Sequence, residues 1–272
     1  MTEISSQYIV VDGARTHFLH AGKGFPLVLL HSGEFGGCAE LSWEYNIEAL
    51  AEHFEVFAPD WLGYGKTAKI FSFENMWDLR IQHIASFLRA VCIEKAHFIG
   101  NSMGGTMLLA TAALASPPWP MEKIVVVAGG GTVPDNEGRK VLNSYDGSLD
   151  HMRRVVETMF VNPAIVNDEA YIERRHRLSR EPGAWECTAA VRFKAPWREP
   201  SGMPTPPDYS GLSVPTLLVT GARDGLREPG FGAKLQPQVP GAKLHVVEQS
   251  GHCPQIDAAE EFNRVVLSFL KG

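Results

Sequence analysis

The sequence predicts an α/β protein in which helices cover both faces of a mostly parallel central sheet and a helical lid is inserted. Two observations support this fold class. Short apolar runs alternate with amphipathic segments of helix length, a pattern typical of parallel strands joined by helices. This alternation stops in the middle of the chain and then resumes. With 272 residues, the chain suits one large α/β domain with an insertion, or two small domains.

The predicted strands begin with a β-hairpin. Residues 8–11 and 16–20 are separated by Asp12-Gly13, a dipeptide that favours a two-residue turn. The run over residues 26–31 is continuously apolar, as expected of a central strand covered on both faces. We predict the other strands over residues 55–59, 95–100, 124–128, 216–220 and 243–247.

Apolar residues at three- and four-residue spacing predict the helices that join these strands. The clearest pattern begins at Trp77 and continues through Ile81, Ile84 and Leu88. We predict helices over residues 42–52, 75–91, 103–115, 231–235 and 259–270.

The inserted lid is predicted where apolar strands are missing. Helical patterns continue over residues 149–160, 168–178 and 183–193, and a proline-rich stretch then leads back to a strand. We therefore expect a core formed by residues 1–131 and 213–272, with the lid formed by residues 132–212.

Composition narrows the class of protein. The formal charge is −6 and no basic run of helix length occurs, which argues against a nucleic-acid partner. Four scattered cysteines suit a reducing compartment, and neither a signal peptide nor a membrane-length apolar run is visible. No metal-ligand spacing or dinucleotide loop occurs. We expect a cytoplasmic protein that acts on a small molecule without cofactor or metal; a homo-oligomer remains open.

One stretch carries the strongest chemical signal. Gly100-Asn101-Ser102-Met103-Gly104 fits the pattern G-x-S-x-G and lies between a predicted strand and a predicted helix. In that context the pattern indicates a sharp turn that exposes a nucleophilic serine at the edge of the sheet. The alternative is a glycine-rich turn with a buried or capping serine.

A nucleophilic serine needs a base and a carboxylate that orients the base. Asp224 and His252 each follow a late predicted strand, so both belong at the same sheet edge as Ser102. The chain order serine, aspartate, histidine is the order of α/β-hydrolases. We therefore predict a Ser102–His252–Asp224 triad.

An oxyanion hole requires two backbone N–H groups near the serine. Met103, which follows the serine, is the first predicted donor. Gly33, in the loop after the strand over 26–31, is the favoured second donor, and Ser32 is the alternative.

Taken together, these motifs resemble the α/β-hydrolase superfamily over essentially the whole chain. More narrowly, the chain resembles the meta-cleavage product hydrolases, which break a carbon–carbon bond in ring-opened aromatic compounds. The residues that carry this narrower resemblance are Gly100 to Gly105, Glu94 to His97, Lys194 to Pro196, Leu244 to Val246 and Glu261 to Val266.

The resemblance implies a 2-hydroxy-6-oxo-dienoate substrate and several binding residues. Arg174 matches the family arginine that holds the dienoate end, and Asn101 matches a residue lining the polar part of the site. Further candidates for the substrate pocket are Phe160, Trp185, Trp197, Cys253 and Ser32.

Two departures from the family pattern concern the same site. Cys253 stands where the family usually has tryptophan, and Glu34-Phe35 replaces Gly-Pro in the oxyanion loop. The alternatives are therefore a carboxylesterase or lactonase with the same triad, and a non-catalytic ligand-binding relative.

Overall fold

The computed structural model describes residues 3–193 and 208–272. Its strands are β1 (Ser5–Val11), β2 (Ala14–Ala21), β3 (Pro26–Leu30), β4 (Glu55–Pro59), β5 (Ala96–Asn101), β6 (Met121–Val127), β7 (Thr216–Gly221) and β8 (Lys243–Val247). They form one eight-stranded sheet in the order β1-β2-β4-β3-β5-β6-β7-β8. Strand β2 is antiparallel to both of its neighbours, and all other neighbouring pairs are parallel. The predicted fold class is confirmed.

The central strands are buried on both faces, as their apolar runs predicted. In β3, Val28 and Leu30 belong to one apolar cluster, while Leu27 and Leu29 belong to a second cluster on the opposite face. Because successive side chains of a strand point to opposite faces, an uninterrupted apolar run fills both layers of the core.

The helices are α1 (Ala39–Trp43), α2 (Ile47–Ala51), α3 (Met76–Ala90), α4 (Met103–Ala112), α5 (Glu137–Asn143), α6 (Leu149–Met159), α7 (Pro163–Val166), α8 (Glu169–Ser179), α9 (Ala184–Ala190), α10 (Phe231–Leu235), α11 (Pro254–Asp257) and α12 (Ala259–Lys271). Apolar residues of α3, α4 and α10 join the cluster on one face of the sheet. Those of α1, α2 and α12 join the cluster on the other face. Both faces of the sheet are therefore covered.

The prediction of a single helix over residues 42–52 was wrong. The chain forms two short helices, α1 and α2, separated near Asn46. The Asn46 side-chain amide donates hydrogen bonds to the Gln255 carbonyl at 2.9 Å and to Asn263 at 2.8 Å. These tertiary contacts stabilise the interruption between the two helices, and no local sequence pattern predicts them.

Helices α5 to α9 lie between β6 and β7, where apolar strands were missing from the sequence. They share a third apolar cluster with residues from the loops of the sheet domain, including Phe35, Leu226 and Cys253. Sequence patterns did not predict α5, α7 or α11. Among the described residues, no helix is long and apolar enough to cross a membrane.

Candidate active site

Ser102 lies in the turn between β5 and α4. Its backbone has φ +53° and ψ −109°, a conformation that residues with a Cβ rarely adopt. The strand before it and the helix beginning directly after it hold the residue in this geometry. The side chain therefore projects from a strained turn at the carboxyl edge of the parallel sheet.

The glycines flanking Ser102 are required by close backbone packing. A Cβ at Gly100 would lie 2.6 Å from the carbonyl carbon of Gly104, and one at Gly104 would lie 2.4 Å from the Leu30 carbonyl oxygen. Real Cβ atoms do not approach backbone atoms this closely, so any side chain here would force β3, β5 and α4 apart. This explains the G-x-S-x-G spacing.

Ser102, His252 and Asp224 form a continuous hydrogen-bonded chain. His252 Nδ1 lies 2.8 Å and 3.0 Å from the two carboxylate oxygens of Asp224, and His252 Nε2 lies 2.8 Å from Ser102 Oγ. Because a carboxylate only accepts, Nδ1 carries the proton and Nε2 is free to accept from the serine hydroxyl. This is the arrangement in which histidine can act as a base toward serine.

Asp224 is held in its ionised form. Burial alone would raise the pKa of this carboxyl, but His252 and a hydrogen bond from the Leu226 amide outweigh burial and lower it. The Leu226 N–H donates to Asp224 Oδ1 at 2.8 Å, which also fixes the orientation of the carboxylate.

Gly33 and Met103 line the same cavity as Ser102 and His252. A Cβ at Gly33 would lie 2.6 Å from Met103 Sδ, so the two residues are in close contact. Within the described residues, neither backbone N–H has a protein acceptor. Ser32 is buried and is not among the residues that line the cavity. The geometry thus favours Gly33 over Ser32 as the second amide.

His31 fixes the loop that carries Gly33. Its Nδ1 donates to the Ser32 carbonyl at 2.6 Å, and its Nε2 accepts from the Trp61 amide at 3.0 Å. Burial lowers the pKa of His31, so the ring stays neutral in this role.

The cavity beside the triad has a volume of about 230 Å³. Its wall combines apolar side chains with three arginines. Besides the residues already named, the lining consists of Glu34, Trp77, Thr106, Val133, Arg139, Leu142, Asn143, Met159, Arg192, Leu226 and Arg227. Arg139 and Arg192 were not singled out from the sequence, because neither stands in a motif.

None of the six described residues predicted for the substrate pocket is among the residues that line this cavity. The Arg174 guanidinium forms an ion pair with Glu44 at 2.5 Å and does not line the cavity. Phe160 is buried in the apolar cluster of α5 to α9. Trp185 lines a separate surface cleft with Arg180 and Glu181. The predicted residue Trp197 lies outside the described residues.

Asn101 and Cys253 lie behind the triad. The Asn101 amide donates to the carbonyls of Val127 and His252 at 3.3 Å and 3.4 Å, and the Cys253 thiol donates to Asn101 Oδ1 at 3.6 Å. Both side chains are buried, and neither is among the residues that line the cavity. They support the loops that carry Ser102 and His252.

The buried arginine of α8 is Arg175, one position after the predicted Arg174. Its guanidinium donates to the Glu34 carboxylate at 2.8 Å and to Tyr171 Oη at 3.0 Å, and it is fully buried. Burial alone would raise the pKa of Glu34, but Arg175 outweighs burial, so that the pKa falls below its usual value. This buried ion pair joins the loop after β3 to α8.

A second set of contacts joins the loop after β8 to the end of α6. The His252 amide donates to the Met159 carbonyl at 2.8 Å. The Asp257 carboxylate accepts from the amides of Gly251 at 2.7 Å and Asn162 at 3.1 Å. Sequence reasoning did not identify Asp257, because a lone aspartate in a short helix has no distinguishing pattern.

Similar proteins share this architecture. A model of the Alpha/beta hydrolase family matches residues 27–265. The 2-hydroxymuconate semialdehyde hydrolase of Pseudomonas sp. (strain CF600) is 32% identical over 264 residues, which are 96% of this chain and 92% of that protein. The 2-hydroxy-6-oxo-6-(2'-aminophenyl)hexa-2,4-dienoic acid hydrolase of Metapseudomonas resinovorans is 30% identical over 268 residues, which are 97% of this chain and 90% of that protein.

Solved structures agree with these relatives. The meta-cleavage product hydrolase from Pseudomonas fluorescens IP01 matches with a TM-score of 0.87 at 28% identity, over 97% of both chains. The enol-lactonase from Burkholderia xenovorans LB400 matches with a TM-score of 0.77 at 21% identity, over 98% of this chain and 100% of that one. At 21% identity, the similarity to the enol-lactonase concerns the fold alone.

Proposed function

This chain belongs to the α/β-hydrolase family, and we propose that it hydrolyses a carbon–carbon bond in a ring-opened aromatic compound of the 2-hydroxy-6-oxo-dienoate type. Relatives at 30% identity or more, matched over nearly their whole length, carry the names of hydrolases of such compounds. The observation that carries the proposal is the hydrogen-bonded chain from Asp224 through His252 to Ser102 beside a cavity.

In this proposal Ser102 is the nucleophile and His252 is the base. His252 Nε2 accepts the serine proton while Ser102 Oγ forms a bond to the carbonyl carbon C6 of the substrate. The negative charge that develops on the carbonyl oxygen is received by the N–H groups of Gly33 and Met103. Asp224 holds His252 in the required tautomer and stabilises the imidazolium that forms.

Breaking a carbon–carbon bond requires a leaving carbon that can accept an electron pair. Tautomerisation of the 2-hydroxy-dienoate to its 2-oxo form supplies this acceptor, because the pair then delocalises onto the new carbonyl. The bond from C5 to C6 breaks, the His252 imidazolium gives its proton to the departing dienolate, and the acyl group remains on Ser102. Water, deprotonated by His252, then releases a carboxylic acid, and the other product is a 2-hydroxy-dienoate.

We also propose that residues 132–212 form a lid over this cavity, and that the enzyme works in the cytoplasm. Residues of α5, α6 and the segment after α9 line the cavity, which supports the first point. The cysteines of the described residues are all unpaired, which suits a reducing compartment.

The test compares two substrate classes with the purified protein. A coloured ring-opened dienoate should be bleached, and the rate should fall by about 10⁴-fold or more in Ser102→Ala, because the nucleophile is lost. Ser144→Ala, which changes an exposed serine directly after α5, is the matched control and should retain the wild-type rate. Fast hydrolysis of p-nitrophenyl esters with no bleaching would replace the proposal by an esterase or lactonase.

A further inference from the structure

Two of the guanidinium groups in the cavity wall have free terminal nitrogens and no acidic partner among the described residues. Arg139 lies on α5 and Arg192 follows α9, and both line the cavity beside Ser102 and His252. Within the described residues, neither forms an ion pair with a carboxylate. Both side chains are half-buried, so their charges are only partly compensated by solvent.

Neutral contacts hold both arginines in position. Arg139 Nε donates to the Leu226 carbonyl at 3.2 Å, and Arg192 Nε donates to Asn143 Oδ1 at 3.2 Å. The Arg192 guanidinium also lies 4.7 Å from the centroid of the Phe35 ring. In the described part of the chain, both terminal nitrogens of Arg139 and Nη2 of Arg192 have no acceptor. The donors best suited to a carboxylate are therefore left available.

The carboxylates that the structure describes near this wall already have hydrogen-bonding partners, and Asp224 alone keeps a negative charge without a cationic partner. Glu34 lines the cavity, but its carboxylate is paired with Arg175. Asp224 is bonded to His252 and to the Leu226 amide. Arg227 adds a third cation to the wall, and its guanidinium donates to the carbonyls of Ala128 and Thr132. The cavity therefore has an excess of positive charge.

We propose that Arg139 and Arg192 form a carboxylate-binding subsite in the catalytic cavity. Naming the ligand as part of a ring-opened substrate rests on the proposed function. The carboxylate has two sources: the dienoate end of the substrate, or a second acid group on its C6 substituent. Because Arg175 is already paired with Glu34, Arg139 on α5 and Arg192 after α9 are the arginines with free donors that face the cavity, and a substrate carboxylate would bind to them.

The experiment measures kcat/KM for wild type, Arg139→Gln, Arg192→Gln and the double variant. The first pair of probes is p-nitrophenyl butyrate and p-nitrophenyl hemisuccinate, which differ chiefly in one carboxylate. We expect each substitution to lower the hemisuccinate-to-butyrate ratio by about 10-fold or more, since a hydrogen bond to a charged group is lost. The matched control is Arg153→Gln, an arginine of α6 paired with Glu169, which should leave the ratio unchanged.

The second pair of probes locates the carboxylate. One is a 2-hydroxy-6-oxo-dienoate with a methyl group at C6, and the other carries a propanoate there. If the double variant loses kcat/KM equally on both compounds, the subsite binds the dienoate end. If it loses kcat/KM on the propanoate compound alone, the subsite binds the C6 substituent. An unchanged ester ratio with unchanged dienoate kinetics would overturn the subsite.

Two features keep this test separate from the proposed function. If the wild-type protein cleaves no dienoate, the proposed carbon–carbon hydrolysis is contradicted. The comparison of the two p-nitrophenyl esters still tests the subsite in that case. If a glutamine variant does not fold, Arg139→Lys and Arg192→Lys retain the charge and should keep part of the ester preference. In wild type, KM for the hemisuccinate should rise with salt more steeply than KM for the butyrate, and equal slopes would count against the subsite.

Discussion

At the scale of single residues, the proposed chemistry depends on which nitrogen of His252 carries the proton. Asp224 is the only described side chain that accepts from Nδ1, and its second anchor is the Leu226 amide. An asparagine in its place can still accept from that amide, but its own N–H₂ group can face Nδ1. His252 would then present a protonated Nε2 to Ser102 and could no longer accept the serine proton.

We therefore expect Asp224→Asn to lower kcat by about 10⁴-fold with little change in KM. The measurement is steady-state hydrolysis of the preferred substrate, with thermal melts to verify folding. Asp208→Asn, an exposed aspartate bonded to the Ser210 amide, serves as the control for the chemical change. A loss below 10-fold in a fully folded Asp224→Asn protein would remove Asp224 from the proposed triad.

At the residue scale, the sequence is most informative where geometry is fixed by the ends of strands. Ser102, Asp224 and His252 each follow a parallel strand, and the structure brings their side chains together. The assignment to Arg174 did not identify the buried arginine, because a helix carrying Arg174, Arg175 and Arg177 gives no periodic signal for which of them faces inward. Burial of Arg175 depends on Glu34, more than one hundred residues earlier in the chain.

At the scale of elements, the ion pair between Glu34 and Arg175 connects the oxyanion loop with α8. Both side chains are almost completely inaccessible to solvent. Removing one partner of such a pair leaves an uncompensated buried charge, which is more costly than removing both. Substitutions in this pair therefore test how strongly α8 is attached to the sheet.

Arg175→Met is expected to destabilise the fold by about 3–5 kcal/mol, because the Glu34 carboxylate would remain buried without its partner. The double variant Glu34→Gln/Arg175→Met should recover most of that loss. Urea unfolding followed by circular dichroism measures both. Arg153→Met, in an exposed pair with Glu169, is the matched control and should cost no more than about 1 kcal/mol. Additive effects of the two substitutions would contradict this account.

Secondary-structure elements were predictable where the spacing of apolar residues stayed regular over the whole element. Strand β3 and helix α3 were predicted to within two residues at each end. The split between α1 and α2 and the short helix α5 were not, because contacts distant in sequence decide them. Asn46 illustrates this: its side chain bonds to residues more than two hundred positions later. Arg139 and Arg192 were not predicted for the same reason, because α5 and the segment after α9 come together only in the folded chain.

At the scale of the whole molecule, the resemblance found in the sequence is confirmed by the family match and the fold.

The distribution of buried charge is a further property of the entire fold, and it makes stability depend on pH. His83 is buried, and its Nε2 lies 2.8 Å from Thr16 Oγ1. Burial lowers the pKa of His83 to about 4, from 6.5 in the absence of the fold.

The sign of this effect follows from proton binding. Between pH 6.5 and about 4, the unfolded chain binds a proton at His83 and the folded protein does not, so stability falls as the pH falls through this range. At the acidic end of this range and below it, protonation of Glu34, Asp60 and Asp224 causes a second loss of stability. Their folded pKa values are lowered, so their contribution is complete above 4.5 for Glu34 and 3.8 for the aspartates, and disappears as they are protonated.

We expect the free energy of unfolding to decrease in two stages as the pH is lowered from 7 to 3. Replacing His83 by glutamine should flatten the first stage by up to about 1.4 kcal/mol per pH unit and leave the second stage in place. Urea titrations at half-unit pH intervals measure both stages. His53→Gln, at an exposed position, is the control and should not change the first slope. Because the fold supplies the shift in the pKa of His83, a first stage equally steep in His83→Gln would mean that other buried groups produce it.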